Sequence, residues 1–234
     1  MPDQSFVPGS FHRRRFLQAA FSSAVAGTVV QTGLELAYPT ALRAQTTLTP
    51  ESALQTLVEG NQRFSENRLT SFQQDLDILK SHTVEKQEPF AAVLSCADSR
   101  VPVELLFDQT IGHVFVTRVA GNLATPEIIA SLEYGVAVLG VKALVVLGHA
   151  NCGAVKAAMK TDTVPGQISA LYQHLKPAID KAGGNFKEAI RLNAEYQADL
   201  LRTASTVMKE ATKSGSLKIT SAVYDLVTGR VTFN

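Results

Sequence analysis

Short runs of consecutive apolar residues alternate along this chain with segments whose apolar residues recur at helical spacing. Three runs are rich in β-branched or aromatic residues: 90–94, 114–117 and 143–147. Such runs are typical of strands that are covered on both faces, as in a parallel sheet. A capped, apolar helical segment over 125–139 separates the second run from the third, and this order predicts a right-handed crossover. The pattern therefore indicates an α/β fold with a mainly parallel central sheet flanked by helices.

The remaining segments are predicted to be helical except at the carboxyl terminus. Thr49 followed by Pro50 and Glu51 is a typical helix start. The other elements are expected as helices over 50–66, 72–81 and 168–179, a long helix from 186 to Gly215, and a strand with a hairpin over 219–227 and 231–233. Because the segment 125–139 is mostly apolar, we expect its helix to be buried.

Residues 1–44 resemble a twin-arginine export signal. The pair Arg13 and Arg14 is followed after one residue by Phe-Leu, then by a stretch rich in small residues, and a cleavage site is predicted after Ala44. Recognition by the twin-arginine export machinery would carry the protein across the cytoplasmic membrane, most simply into the periplasm. An uncleaved membrane anchor or a lumenal location is the alternative. The stretch is shorter than the roughly 20 apolar residues of a transmembrane helix.

The composition is that of an ordinary globular protein. Of the 234 residues, 45% are hydrophobic and 18% are charged, which is enough for one sizeable core. Lysine and arginine number 22 against 21 acidic residues, and no basic run outside the signal segment is typical of a phosphate-binding surface. The sequence therefore gives no reason to expect a nucleic-acid partner, and we interpret 45–234 as one domain.

Both cysteines stand at the ends of predicted strands. Cys96 follows the first strand in the motif C-x-D-x-R, with Asp98 and Arg100, while Cys152 follows the third strand in the motif H-x-x-C, with His149. Because the carboxyl ends of parallel strands meet at one edge of a sheet, the two motifs should lie together. Thiolate, imidazole and carboxylate groups are zinc ligands. In an exported protein the two cysteines could instead form a disulfide, although the twin-arginine route carries folded proteins that already hold their metals.

Together these motifs resemble the zinc signature of the β-class carbonic anhydrases. The similarity covers nearly all of residues 50–234 and includes Gly60-Asn61-x-Arg63-Phe64, Arg118-Val119-Ala120-Gly121-Asn122, Glu133-Tyr134 and Tyr224-Asp225-x-x-Thr228-Gly229. It implies a zinc lyase that hydrates CO2 reversibly to bicarbonate and a proton. One zinc ion per subunit would be held by Cys96, His149 and Cys152. The fourth position would hold water or the Asp98 carboxylate, which is kept from the metal when it pairs with Arg100.

The resemblance also implies roles for side chains outside the two motifs. Gln87 matches a glutamine that orients the substrate, and Phe115 and Tyr134 match aromatic residues that line the CO2 pocket from a neighbouring subunit. The protein is therefore expected to form a homodimer or a larger homo-oligomer. The helix over 50–66 would serve as an N-terminal arm around the partner.

The chemistry of these residue types is consistent with the implied reaction. A zinc ion lowers the pKa of a bound water, so that the resulting hydroxide can attack CO2. Asp98 would accept the hydrogen of this hydroxide, and Arg100 would hold the carboxylate in place. Two alternatives use the same scaffold: a carbonic-anhydrase-like zinc protein without CO2 hydration, and a hydrolase of a sulfur analogue of CO2.

Overall fold

A five-stranded sheet with helices on both faces forms the centre of the fold. The computed structural model describes residues 46–71, 76–160 and 164–234, except for the side chains of Ile78 and His82. In chain order the elements are α1 (Pro50–Ser65), α2 (Leu76–Thr83), β1 (Ala91–Ser95), α3 (Val103–Leu106), β2 (Val114–Arg118), α4 (Pro126–Ala137), β3 (Ala143–His149), α5 (Gly153–Lys160), a short 3-10 helix (Ile168–Leu171), α6 (Tyr172–Lys181), α7 (Phe186–Ala204), α8 (Thr206–Lys213), β4 (Lys218–Tyr224) and β5 (Val231–Phe233).

The strands lie in the order β2-β1-β3-β4-β5. β1 is parallel to both β2 and β3, β3 is parallel to β4, and β5 runs antiparallel to β4. The predicted α/β fold with a mainly parallel sheet and a carboxyl-terminal hairpin is confirmed. Because β1 and β3 are neighbours that run in the same direction, the residues that follow them share one edge of the sheet.

The core lies on both faces of the sheet because β1 and β3 are apolar at consecutive positions and successive side chains point to opposite faces. On one face Val93 and Val145 pack with Leu57 of α1. On the other face Leu94 packs with Leu201 of α7. Every residue of β1 and β3 is buried, as the uninterrupted apolar runs predicted.

Two predicted segments lie outside the described residues. These are the export signal, 1–44, and positions 72–75 of the second predicted helix. Among the residues that the structure does describe, no helix combines the length and the apolar character needed to span a bilayer.

The N-terminal helix α1 packs its inner face on the sheet of its own chain. Gly60 permits this contact, because a Cβ at this position would lie 1.8 Å from the carbonyl oxygen of Phe107. Beside it, the buried side chain of Asn61 donates to the carbonyl oxygen of Leu106 (3.2 Å) and accepts from the backbone N–H of Val231 (2.8 Å). The Gly60-Asn61 pair therefore fixes the predicted arm to its own chain, with the opposite face of α1 exposed.

The single long helix predicted from 186 to Gly215 is wrong, because the chain breaks it at Ser205. Ser205 is extended (φ −105°, ψ 120°), and its Oγ accepts a hydrogen bond from the backbone N–H of Met208. The same hydroxyl donates to Glu133 Oε1 at 2.6 Å. Serine is a favourable N-cap, so Ser205 ends α7, starts α8 and ties both helices to α4.

The expectation that the helix over 125–139 is buried is also wrong for the isolated chain. In α4 the buried residues are Leu132 and Gly135, whereas Tyr134 is 46% exposed. Gly135 lies against the ring of Phe115 on β2, an edge strand of the sheet. An apolar helix that lies beside an edge strand and is half open to solvent is typical of an interface.

Smaller differences concern the ends of elements. The strand predicted over 219–227 ends at Tyr224, because Asp225 Oδ1 accepts hydrogen bonds from the backbone N–H groups of Val227 and Thr228 and turns the chain. The helix predicted over 168–179 begins as the short 3-10 helix and continues as α6. The four-residue helix α3 was not predicted.

Candidate metal centre

The two motifs meet at the carboxyl edge of the sheet. Cys96 follows β1 directly, His149 is the last residue of β3, and Cys152 immediately precedes α5. Their ligand atoms all lie within 4.8 Å of one another, and these three residues are at most 4% exposed. Within the described ranges they are the group with the spacing of a metal site. We call them the metal triad.

The imidazole of His149 is oriented for a ligand. Its Nδ1 lies 2.9 Å from the carbonyl oxygen of Ala150. Because a carbonyl oxygen can only accept, Nδ1 carries the proton and the lone pair resides on Nε2. This Nε2 is buried and has no hydrogen-bond partner among the described residues. A buried acceptor without a partner is costly, and a metal ion in the centre of the triad would satisfy it.

The two sulfurs form a pair that needs a cation. Both cysteines are free thiols, so the alternative of a disulfide is not what the structure contains. The hydrogen bond between the thiols lowers the pKa of Cys96 to about 4 and raises the pKa of Cys152 above its usual range. One thiolate therefore forms readily, while a second one beside it requires positive charge. Zinc bound by two thiolates and an imidazole supplies that charge.

Asp98 pairs with Arg100 rather than turning toward the triad. Arg100 Nε donates to Asp98 Oδ1 at 2.9 Å and Nη2 donates to Oδ2 at 2.8 Å, a bidentate arrangement. Asp98 Oδ2 remains 3.8 Å from Nε2 of His149. The Arg100 guanidinium holds the pKa of Asp98 well below its usual range, so the carboxylate is ionised and can only accept hydrogen bonds. The structure thus places Asp98 beside the metal triad, with both of its carboxylate oxygens bound by Arg100.

Arg118, at the end of β2, holds the loop that carries Cys96 and Asp98. Its Nε donates to the carbonyl oxygen of Cys96 at 3.0 Å, and its Nη2 donates to the carbonyl oxygen of Asp98 at 2.5 Å. Arg100 reaches across to the second loop, where Nη2 lies 3.4 Å from the carbonyl oxygen of Asn151. The two arginines therefore connect the edge strand and both motif loops. The sequence placed Arg118 in a stretch that resembles the family named above, but it did not predict that Arg118 holds the loop of Cys96 and Asp98.

Two residues near the centre were missed by the sequence analysis. Asn193 and Gln197 of α7 are both 1% exposed, and they hold the loop after β2 by hydrogen bonds to Gly121 and Ala124. The backbone N–H of Gly121 in turn donates to the sulfur of Cys96 at 3.3 Å. The available signal was a pair of amides four positions apart on the apolar stripe of a helix, where amides are seldom buried without a specific partner.

The three predicted substrate-binding residues do not join the metal triad within one chain. Gln87 is exposed and precedes the amino end of β1, whereas Cys96 follows its carboxyl end. The strand between them spans roughly 17 Å. Phe115 pairs with Ala92 near the amino end of β1, and its ring centroid lies 6.3 Å from that of Tyr134. The aromatic pair lies on the surface formed by β2 and the open side of α4, which we call the α4–β2 face.

The residues present fit a zinc ion. Two cysteines and a histidine are ligands that zinc prefers, and three protein ligands leave a fourth position open, as catalytic sites require. The apolar side chains of Leu123, Val155 and Leu175 belong to the same buried cluster as the two cysteines. A low-polarity shell of this kind strengthens the interaction between the thiolates and a cation. The arrangement can therefore hold zinc and keep bulk water from its inner side.

Comparisons with known proteins agree with this description. A sequence model of the carbonic anhydrase family matches residues 91–231. Carbonic anhydrase 2 of Mycobacterium tuberculosis is 34% identical over 189 residues, which cover 77% of this chain and 91% of that protein. The carbonic anhydrase of Mycolicibacterium smegmatis is 36% identical over 190 residues, with 78% and 92% covered. The solved structure of a Coccomyxa β-carbonic anhydrase in complex with acetazolamide is 28% identical, with a TM-score of 0.61 over 77% of this chain and 85% of that chain.

Proposed function

The chain belongs to the β-carbonic anhydrase family and catalyses the zinc-dependent, reversible hydration of CO2 to bicarbonate and a proton; we propose that it does so as an exported homo-oligomer whose active sites are shared between subunits. The observation that carries the assignment is the metal triad itself. In the described residues it combines a buried, unpartnered imidazole nitrogen with two adjacent thiols. A zinc ion satisfies all three atoms at once, because thiolate and imidazole are ligands that it prefers.

The side chains of this chain position the reactants. The chemistry supplied by a bound zinc ion is the activation of water, whose pKa falls far enough for it to attack CO2. Asp98 lies beside the metal triad, because its Oδ2 is 3.8 Å from His149 Nε2. As an ionised carboxylate it would accept a hydrogen bond from the activated water and so orient it toward the substrate carbon. Arg100 keeps Asp98 available for this task by holding both carboxylate oxygens.

The proposal of a shared active site is supported by what lies far from the metal triad in one chain. CO2 needs an apolar pocket and a donor that fixes one oxygen, roles implied for Phe115, Tyr134 and Gln87. These residues lie toward the amino end of β1 or on the α4–β2 face. A second copy that packs its α4–β2 face against the first would bring the three residues to the partner's metal triad, and a two-fold axis would complete both sites together.

The zinc enzyme is tested with the purified full-length chain. We expect one zinc ion per chain and rapid CO2 hydration in a stopped-flow assay. The variant His149→Gln should lose both, while His174→Gln, which changes a half-buried histidine on α6, should keep both. Zinc that is retained without CO2 hydration would contradict the catalytic function. A chain that binds no zinc under reducing conditions would contradict the metal site as well.

Export is proposed on the motif in residues 1–44. The arginine pair, Arg13 and Arg14, followed by Phe-Leu and a stretch of small residues supports the twin-arginine route. We expect the double variant Arg13→Lys, Arg14→Lys to remain in the cytoplasm, whereas Arg43→Lys, which leaves the pair intact, is exported to the periplasm. Cell fractionation followed by immunoblotting measures the distribution. Export of the double variant at the wild-type level would contradict the proposal.

A further inference from the structure

We propose that two buried amides of α7, Asn193 and Gln197, are positioning residues that hold the backbone N–H of Gly121 on the metal-binding sulfur of Cys96 and so set the metal affinity of the site. The proposal rests on the zinc centre described above and assigns a role to residues outside it. Both amides are 1% exposed and lie one helical turn apart. Their hydrogen bonds go to the loop after β2, to α6 and to each other, and not to the α4–β2 face or the Asp98–Arg100 pair.

The two amides hold the loop after β2 at two points. Asn193 Nδ2 donates to the carbonyl oxygen of Gly121 at 2.8 Å. Gln197 Oε1 accepts from the backbone N–H of Ala124 at 2.9 Å. The loop between these residues would otherwise carry unsatisfied backbone groups in the interior, because it runs beneath α7 rather than along a strand. The pair of amides thus fixes both the position and the direction of this loop.

The orientation of each amide is determined by a further hydrogen bond. Gln197 Nε2 donates to Asn193 Oδ1 at 3.1 Å and to the carbonyl oxygen of His174 at 3.2 Å. Because these two oxygens can only accept, Gln197 cannot exchange its nitrogen and oxygen without losing both bonds. Asn193 Oδ1 is then occupied, and its nitrogen must face Gly121. The network has one consistent arrangement.

Gly121 transmits this arrangement to the metal triad. Its backbone is in the left-handed region (φ +82°), and a Cβ there would lie 3.3 Å from Leu175. With the carbonyl oxygen held by Asn193, its N–H donates to the sulfur of Cys96 at 3.3 Å. A hydrogen bond to a thiolate withdraws negative charge from the sulfur and fixes its direction. Residues that orient a metal ligand in this way commonly change metal affinity by about 10- to 100-fold when they are replaced.

Asn193→Leu removes the link with a side chain of the same branched shape, and Asn61→Leu, which makes the same change of size, is the matched control. Asn61 is also a buried asparagine that donates to a backbone carbonyl, but it fixes α1 rather than the loop at Cys96. Zinc affinity is measured by competition with a chelator. We expect Asn193→Leu to bind zinc at least about 10-fold more weakly than Asn61→Leu. Equal zinc affinities of the two variants would overturn the proposal.

Gln197→Glu is a milder variant that keeps the test available if Asn193→Leu does not fold. A glutamate retains the acceptor for Ala124 but loses the Nε2 donor that orients Asn193. We expect zinc affinity to fall less than in Asn193→Leu. Gln197→Asn keeps the amide but shortens the side chain, so its zinc affinity should be no higher than that of Gln197→Glu. Wild-type affinity in Gln197→Glu would count against the network.

A second readout follows the Gly121 amide itself. In isotope-labelled protein loaded with NMR-active cadmium, the Gly121 proton should show scalar coupling to the metal through Cys96. In the metal-free protein its hydrogen exchange should be slow in the wild type and in Asn61→Leu, and faster in Asn193→Leu or Gln197→Glu. Rapid exchange in the wild type would refute the proposal. A wild-type chain that binds no zinc would contradict the proposed function, and the exchange rate would still decide the role of Asn193.

Discussion

The metal triad and the α4–β2 face differ in how far a single chain buries them. The triad is complete within one chain: its three residues are almost fully buried, and the backbone groups of Gly121 and Ala150 contact Cys96 and His149. The α4–β2 face is open, since Tyr134 is 46% exposed and Phe115 lies on an edge strand. Under the proposed function, one chain would suffice to bind the metal, whereas the substrate pocket would need a second chain. Metal binding and turnover should therefore be separable by mutation.

The largest effect is expected from the triad. Cys152→Ser removes a thiolate ligand, so zinc binding should be lost and kcat/KM for CO2 should fall by at least about 1000-fold, because no activated water remains. The oligomer should persist, since Cys152 is buried away from the α4–β2 face. Metal analysis, stopped-flow hydration and light scattering on the same sample measure these three quantities. A variant that loses its zinc and also dissociates would weaken the separation of the two regions.

The converse change places a charge on the α4–β2 face. Tyr134→Asp should yield a monomer that still binds one zinc ion, with kcat/KM reduced by about 100-fold because the partner's residues no longer reach the site. Tyr196→Asp is the control, since Tyr196 is a comparably exposed tyrosine on α7. Size-exclusion chromatography with light scattering measures the mass. Full activity in monomeric Tyr134→Asp would show that one chain suffices.

A smaller effect is expected beside the triad. Arg100→Gln removes the guanidinium that holds Asp98, so the carboxylate is free to turn toward the metal and compete with water. We expect kcat/KM to fall by about 10-fold or more while zinc and the oligomer are retained. Arg68→Gln, which changes an exposed arginine paired with Glu66, is the control. Unchanged kinetics in Arg100→Gln would contradict the role assigned to the pair.

The smallest effect on catalysis is expected from a third region, where Asp108 binds the end of α1. Burial alone would raise the pKa of Asp108, but hydrogen bonds from Arg63, Ser71 and Thr70 outweigh it and hold the pKa well below its usual range. A carboxyl with a depressed pKa in the folded state stabilises the protein above its unfolded pKa of about 4, and this stabilisation is lost as the pH falls toward the folded value.

Asp108→Asn tests this stabilisation without touching either region. We expect the free energy of unfolding at pH 7 to decrease by about 3 kcal/mol, and the difference from the wild type to shrink below about pH 4. Urea denaturation of the metal-free protein at several pH values measures it, and zinc binding and kcat/KM at neutral pH should not change. A difference that is constant with pH would exclude Asp108 as the titrating group.

Sequence patterns were sufficient for the elements whose structure is decided locally. The uninterrupted apolar runs before Cys96 and before His149 identified two buried parallel strands. Because sites lie at the carboxyl ends of such strands, the proximity of the three triad residues could be predicted as well. The start of α1 was also predicted correctly: the side chain of Thr49 accepts a hydrogen bond from the backbone N–H of Ser52, as an N-cap does.

What the sequence could not decide depends on contacts between distant segments. The break at Ser205 needs Glu133 as a partner, and the partial exposure of α4 reflects a face that the described residues leave uncovered. The roles of Asn193 and Gln197 were not predicted, because their partners are backbone atoms of a loop 72 and 73 residues earlier in the chain. The choice of Asp98 between zinc and Arg100 likewise required side-chain geometry.

The most direct test of an active site shared between two chains is complementation between two inactive variants. Cys152→Ser lacks the metal site but has intact substrate-binding residues, whereas the double variant Gln87→Ala, Phe115→Leu binds zinc but lacks them. After unfolding and refolding as an equal mixture, half of the dimers are mixed and each contains one complete site, so hydration activity should recover to about a quarter of the wild-type value. Activity no higher than the mean of the two separate variants would contradict a site built from both chains.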